Sequence, residues 1–484
     1  MDMGFKTLAA LCTLAITMTG CTDNSSSSSE SGVTPLINGA ASGSESVITP
    51  ECAEECDYTP AAAADTSVVF SEDKASVKGS GAAASGRTVT IKSAGVYEIS
   101  GVCSDGKIII EADKESSVTL LLNGLELSCK SGSAIDCEKA GKLLLTLAEG
   151  SVNTLSDAES YSLAQDETEP DAAVFCRSDM VINGGGSLSV TGLYNDGIKC
   201  KDGLKICGGN ITVNAAGDGI VGKDYLVVAA GALDITAVKD GLKSSNDKDS
   251  TLGYVRVQGG DTFVTSGNDA VQAETELIID GGSVKAVSGG GSASVERSQR
   301  DNDRGGWGGF KFDFDNNVQN GSTESMKGLK AGTAITINGG ELEIDSADDS
   351  VHSNGTVLIS SGDIRLTSGD DGIHADRNVT INGGDIYIEE SYEGIESVSI
   401  DVSGGNISVY ASDDGLNAGG GTGGSEYYIS ITGGNITVNA DGDGLDSNGS
   451  MAMSGGTMVV FGPTTDMNGA LDYESSFAIS GGTL

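Results

Sequence analysis

Short aliphatic runs alternate with polar residues along most of the chain, and the alternation itself repeats. ADDSVHSNGTVLISSGD at 347–363 is followed 22 residues on by GDDGIHADRNVTINGGD. Related units begin at Asn195, Gly217, Lys239, Asn268, Met326, Tyr392, Asp413 and Gly442. Take the second residue of each unit as position 0. Asp196, Asp218 and Asp240 are then 22 residues apart, as are Lys327, Asp349, Asp371 and Glu393; Asp414 follows after 21, and gaps of 29 precede Asp269 and Asp443. Position +2 is always aliphatic: Ile198, Ile220, Leu242, Val271, Leu329, Val351, Ile373, Ile395, Leu416 and Leu445. Position +4 is small throughout, for example Cys200, Ala273, Ser353 and Ala375. Strand alternation sends +2 and +4 to a shared core and +3 and +5 outward. Three short β runs per unit, parted by Gly, Asn and Asp turns, predict an all-β fold. The period makes it a parallel β-helix, a solenoid of about 22 residues per coil.

The outward column at +3 reads Lys199, Val221, Lys243, Gln272, Lys330, His352, His374, Glu396, Asn417 and Asp446. Basic groups dominate its first half and acidic groups its second. His352 and His374, the only two histidines, should be neighbours in it. Lys201, at +5, widens the face. Such a column is either a plain solvated strand face or a ligand surface, with Lys199, Lys201, Lys243, Lys330, His352 and His374 as candidate contacts.

Position 0 is a carboxylate in nine of ten units, usually followed by Gly. A single Asp can cap its turn, and the Gly suits a positive φ. Stacked carboxylates repel, which a hard divalent cation would relieve. Calcium fits oxygen ligands of this kind best. The candidate metal ligands are Asp348 and Asp349, Asp370 and Asp371, Asp413 and Asp414, and Asp441 and Asp443. The first four should converge on one ion, with both histidines flanking it and touching ligand instead of metal.

The net charge of -42, from 28 basic and 70 acidic residues, excludes general attraction to nucleic acid or anionic membrane. The N-terminus changes the picture further. Lys6 precedes LAALCTLAI and MTGC, which resembles a bacterial lipobox with Cys21 as the lipidated residue. Residues 1–20 then form a signal peptide, 21–67 a Ser-rich tether and 68–484 the repeat domain. The chain is expected to be an exported lipoprotein of the cell surface or envelope, held to membrane by its lipid alone. Cys137, Cys176 and Cys200 fall in one interior column, as stacked thiols or bridged neighbours, while Cys52 and Cys56 could close a small loop. The insertion at 289–325 carries Trp307, the only tryptophan, which could stack on a sugar ring.

ADDSVHSNGTVLISSGDIRLTSGDDGIHAD, SYEGIES, ASDDGLNAGGG and GDGLDSNGS resemble the bacterial cell-surface carbohydrate-binding domain proteins of parallel β-helix fold. The resemblance runs from about Val68 to the end. It implies a right-handed, calcium-binding β-helix, similar to pectate lyases in fold, that binds cellulose-like and acidic, pectin-like polysaccharides. The family's acidic turns correspond to Asp348–His352 and Asp370–His374. The family pattern continues past the final AISGGTL, so the chain reads as a fragment. Three functions stay open: a calcium-dependent polysaccharide-binding protein, a calcium-dependent polysaccharide lyase, and a surface adhesin or scaffold. A lyase needs a base, and Lys199, Lys243 and Lys330 lie on the right face, though in no distinctive catalytic motif.

Overall fold

The structure is a computed structural model, and it describes residues 64–161, 163, 168–295, 325–421, 426–463 and 467–484. It is all-β. The described residues form 41 strands, and their one helical element is the 3-10 turn Ser292–Ser294. The alternation of apolar and polar residues explains the strands directly. In Glu341–Ser346 and Asp363–Ser368, every second side chain is buried and the rest face out.

From the repeats onward the pairing is parallel and follows the sequence period. Ile198 pairs with Ile220, Ile220 with Leu242 and Leu242 with Val271. The column continues through Leu329, Val351, Ile373, Ile395, Leu416, Leu445 and Leu471. Ile198, Leu242, Val351, Ile373 and Ile395 are fully buried in one hydrophobic core. The β runs after each of these strands form their own parallel ladders, as in Ala334–Ile337 on Thr356–Ile359 and Glu341–Ser346 on Asp363–Ser368. Antiparallel hairpins occur at the start of the described region, where Thr66–Phe70 meets Ala75–Lys78 and Ala82–Ser85 meets Thr88–Ile91.

The glycine after position 0 has a different role from the one its sequence suggests. Positive φ belongs to the Gly-Gly turns, as at Gly340 and Gly384, both at 99°. Gly372 lies outside that region. A Cβ there would sit 2.6 Å from the carbonyl oxygen of Gly394 in the next repeat. Close stacking of backbones, not turn handedness, excludes a side chain.

Cys137, Cys176 and Cys200 are register partners in adjacent strands, and all three are buried and free. Cys207 is disulfide-bonded. Cys21, Cys52, Cys56 and Trp307 lie outside the described residues, as does most of the 289–325 insertion.

Candidate functional site

The position-0 aspartates stand at the start of the strands that carry the +2 column. Each aims one carboxylate oxygen along the stack at the backbone of the next repeat. Asp196 Oδ1 accepts the N–H of Asp218 at 2.9 Å, Asp218 that of Asp240 at 3.1 Å, and Asp240 that of Asp269 at 3.1 Å. Asp349 accepts from Asp371 at 3.0 Å and Asp414 from Asp443 at 2.6 Å. Aspartate has the right length for this bond, which accounts for its recurrence without a metal.

At Asp196, Asp240, Asp349 and Asp371 the second oxygen meets the +3 side chain of the same unit, and Asp218 and Asp269 meet the +3 lysine of the next. Lys199 Nζ lies 2.9 Å from Asp196 and 2.7 Å from Asp171. Lys243 Nζ lies 2.5 Å from Asp240 and 3.3 Å from Asp218. Lys330 Nζ reaches Asp269 at 3.2 Å, and Lys201 pairs with Glu169. The predicted outward column is therefore a recessed ladder of ion pairs: the Lys199 side chain is only 19% exposed. Burial would lower the Lys199 pKa, but Asp196 and Asp171 outweigh it and push it up. Lys327 is the one cation at position 0, and sequence reasoning passed over it. Its Nζ bridges Asp348 at 2.8 Å and Asp349 at 3.1 Å.

His352 and His374 are register partners with rings stacked at 4.9 Å and 16°. They bond the turn acids directly, instead of flanking them. His352 Nδ1 lies 2.7 Å from Asp349 Oδ2, and its Nε2 is 3.0 Å from Asn354 Oδ1. His374 Nδ1 meets Asp371 at 3.1 Å and Glu396 at 2.9 Å, and its Nε2 faces Asp376 at 3.4 Å. Burial would lower the His374 pKa, but the bonds to Asp371, Asp376 and Glu396 raise it far above the ordinary value. Burial would likewise raise the Asp349 pKa, but Lys327 and His352 hold it far below the carboxylate range.

The four acids expected around one ion divide. Asp348, Asp349 and Asp370 bring oxygens within 4.8 Å of one another, whereas Asp371 groups with His374 and Glu396. The division follows from the bond between Asp371 and its own +3 histidine.

Beyond the histidines the compensation ends. Fifteen Asp and Glu and no Lys, Arg or His follow Arg377. Asp414, Asp443 and Asp446 each offer an oxygen within 4.8 Å of the others. Burial, then the neighbouring carboxylates Asp413, Asp446 and Asp443, raise the Asp414 pKa to about 7, against the hydrogen bond from Asp443 N–H. Burial, Asp443 and Asp472 raise that of Asp446 to about 6. The pKa of half-buried Glu393 is also raised, by desolvation and then by the neighbouring Glu396. Asp413 and Asp441 stand outside the triplet. Glu393, Glu396 and Asp446 were not singled out as acids of a cation site; the run of sequence without a base was the signal for them.

The fold and ladder define an all-β protein with one compensated and one uncompensated acidic segment on the same column. A family model described as carbohydrate-binding domain-containing protein matches residues 85–372 and 370–484. A carbohydrate-binding domain-containing protein of Acetivibrio thermocellus is 41% identical over 231 residues, covering 47% of this chain and 81% of the relative. The chain belongs to this family of carbohydrate-binding domain-containing proteins. Among solved structures, a gadolinium derivative of the polysaccharide lyase-like protein from C. thermocellum is similar at 34% identity. It aligns with a TM-score of 0.46 over 47% of this chain and 92% of its own.

Proposed function

We propose that this chain is a right-handed parallel β-helix that binds polysaccharide at the cell surface. Its ligands are acidic, pectin-like glycans held with calcium, and cellulose-like glycans. Family membership supports the carbohydrate reading. The observation that carries the calcium reading is the Asp414, Asp443 and Asp446 triplet, whose carboxylates face one another with raised pKa values. Calcium takes six to eight oxygen ligands in flexible geometry, so three carboxylates would hold it with room for more. It would supply positive charge and open coordination sites where a polyuronate otherwise meets only negative charge. Asp348 and Asp349 suit calcium less well, because the Lys327 ammonium already lies between them.

The lyase alternative needs a base on the ladder. Lys199, Lys243 and Lys330 are each tied to carboxylates, and the pKa values of Lys199 and Lys243 are pushed up, which suits a fixed cation and not a proton acceptor. Incubating the chain with polygalacturonate and calcium separates the readings. Co-sedimentation with the polymer and no rise in ultraviolet absorbance is the expected result. A steady rise from unsaturated product would replace binding with eliminative cleavage. The surface location rests on lipidation of Cys21: Cys21→Ala should move the protein out of the membrane fraction, and unchanged fractionation would refute the anchor.

A further inference from the structure

The ladder of Asp261–Ser266 carries a groove far in character from the charged column. It has a volume of about 410 Å³ and crosses four parallel strands on their outward side, between a row containing Asn210 and Asp261 and a row containing Asp234, Phe263 and Lys285. Register places Phe263 between Asp234 on one strand and Lys285 on the other. Phe263 is 45% exposed. A lone exposed aromatic is ordinary on a protein surface. Here the ring walls a concavity that also offers polar groups in register, the composition of a small-ligand site.

The charges choose the occupant. Lys285 Nζ is held 2.6 Å from Glu343 Oε2 and 4.0 Å from Glu341 Oε1, so its charge is already matched. Asp234 and Asp261 remain, and they disfavour a uronate. Their carboxylates can accept from sugar hydroxyls, and the aromatic face can cover the C–H face of a pyranose ring. Successive strands stand about 4.8 Å apart, so a linear chain laid across them would pass Thr212, Asp234, Phe263 and Lys285 in turn.

We propose that this groove is a second glycan site, selective for a neutral pyranose chain and independent of calcium, with Phe263 as its stacking platform. The proposal rests on the carbohydrate reading above and assigns the neutral ligand to residues away from the acidic triplet. Cellohexaose titrated by calorimetry in chelator should bind the wild-type chain. Phe263→Ala should weaken that binding at least tenfold, and Phe263→Trp should preserve it. Both variants should keep the wild-type melting temperature and wild-type binding to polygalacturonate in calcium. Equal cellohexaose affinity in Phe263→Ala and wild type overturns the proposal, as does wild type that binds polygalacturonate but not cellohexaose. A folded wild type that binds neither polymer overturns the carbohydrate reading itself.

Discussion

Asp349→Ala is expected to lower folding stability by about 3–5 kcal/mol, the range for removing one partner of a buried ion pair. Asp349 is 4% exposed. Its carboxylate meets Lys327 at 3.1 Å and His352 at 2.7 Å, and it accepts the Asp371 N–H at 3.0 Å. Truncation leaves the Lys327 ammonium, whose side chain is 14% exposed, with Asp348 alone. It also leaves a buried backbone N–H without its acceptor, at a further cost. Asp349→Leu combined with Lys327→Met removes both charges and should recover part of the loss. Denaturant midpoints of the single and double variants measure this directly. A cost below about 1 kcal/mol for Asp349→Ala would show that the ladder is surface decoration. The pH sign follows from linkage: the folded pKa is depressed, so the contribution is complete above the ordinary value of 3.8 and is lost as pH falls toward the folded one.

The acidic segment should show the opposite sign. Asp414 is raised to about 7 and Asp446 to about 6, so the folded chain binds more protons there than the unfolded chain. In chelator, stability should therefore fall as pH rises from about 4 to 7. Calcium should oppose that fall by holding the carboxylates ionised. At a hundredfold excess over its Kd it should add about 2.7 kcal/mol. The net charge of -42 pushes in the same direction, so the wild-type curve alone cannot assign the effect. Asp414→Asn with Asp446→Asn isolates it. This variant should melt higher than wild type at pH 8 in chelator and lose the calcium response. Retention of the full response would place the ion elsewhere on the chain.

Much of this was legible in the sequence because the period is regular. The +2 stack from Ile198 to Leu445 and the +3 column from Lys199 to Asp446 occupy the predicted positions in the parallel registers. Alternation reports which face a side chain takes; it does not report what lies across the turn. Lys327 stood out only as an exception to an acidic position, yet it neutralises two acids one repeat away. Gly372 could be assigned a positive φ because a Gly after Asp suggests a turn, whereas the real constraint is the carbonyl of Gly394 in the next repeat. The groove at Phe263 depends on the depth between neighbouring rows, and depth has no signature in a one-dimensional pattern.

Affinity for oligogalacturonate, measured in calcium and in chelator, decides whether this protein recognises an acidic glycan through calcium. Binding is expected in calcium, with a loss of at least tenfold in chelator and the same loss in calcium for Asp414→Asn with Asp446→Asn. Equal affinity in calcium and chelator, or no binding to the acidic oligosaccharide by the folded chain in calcium, would contradict it.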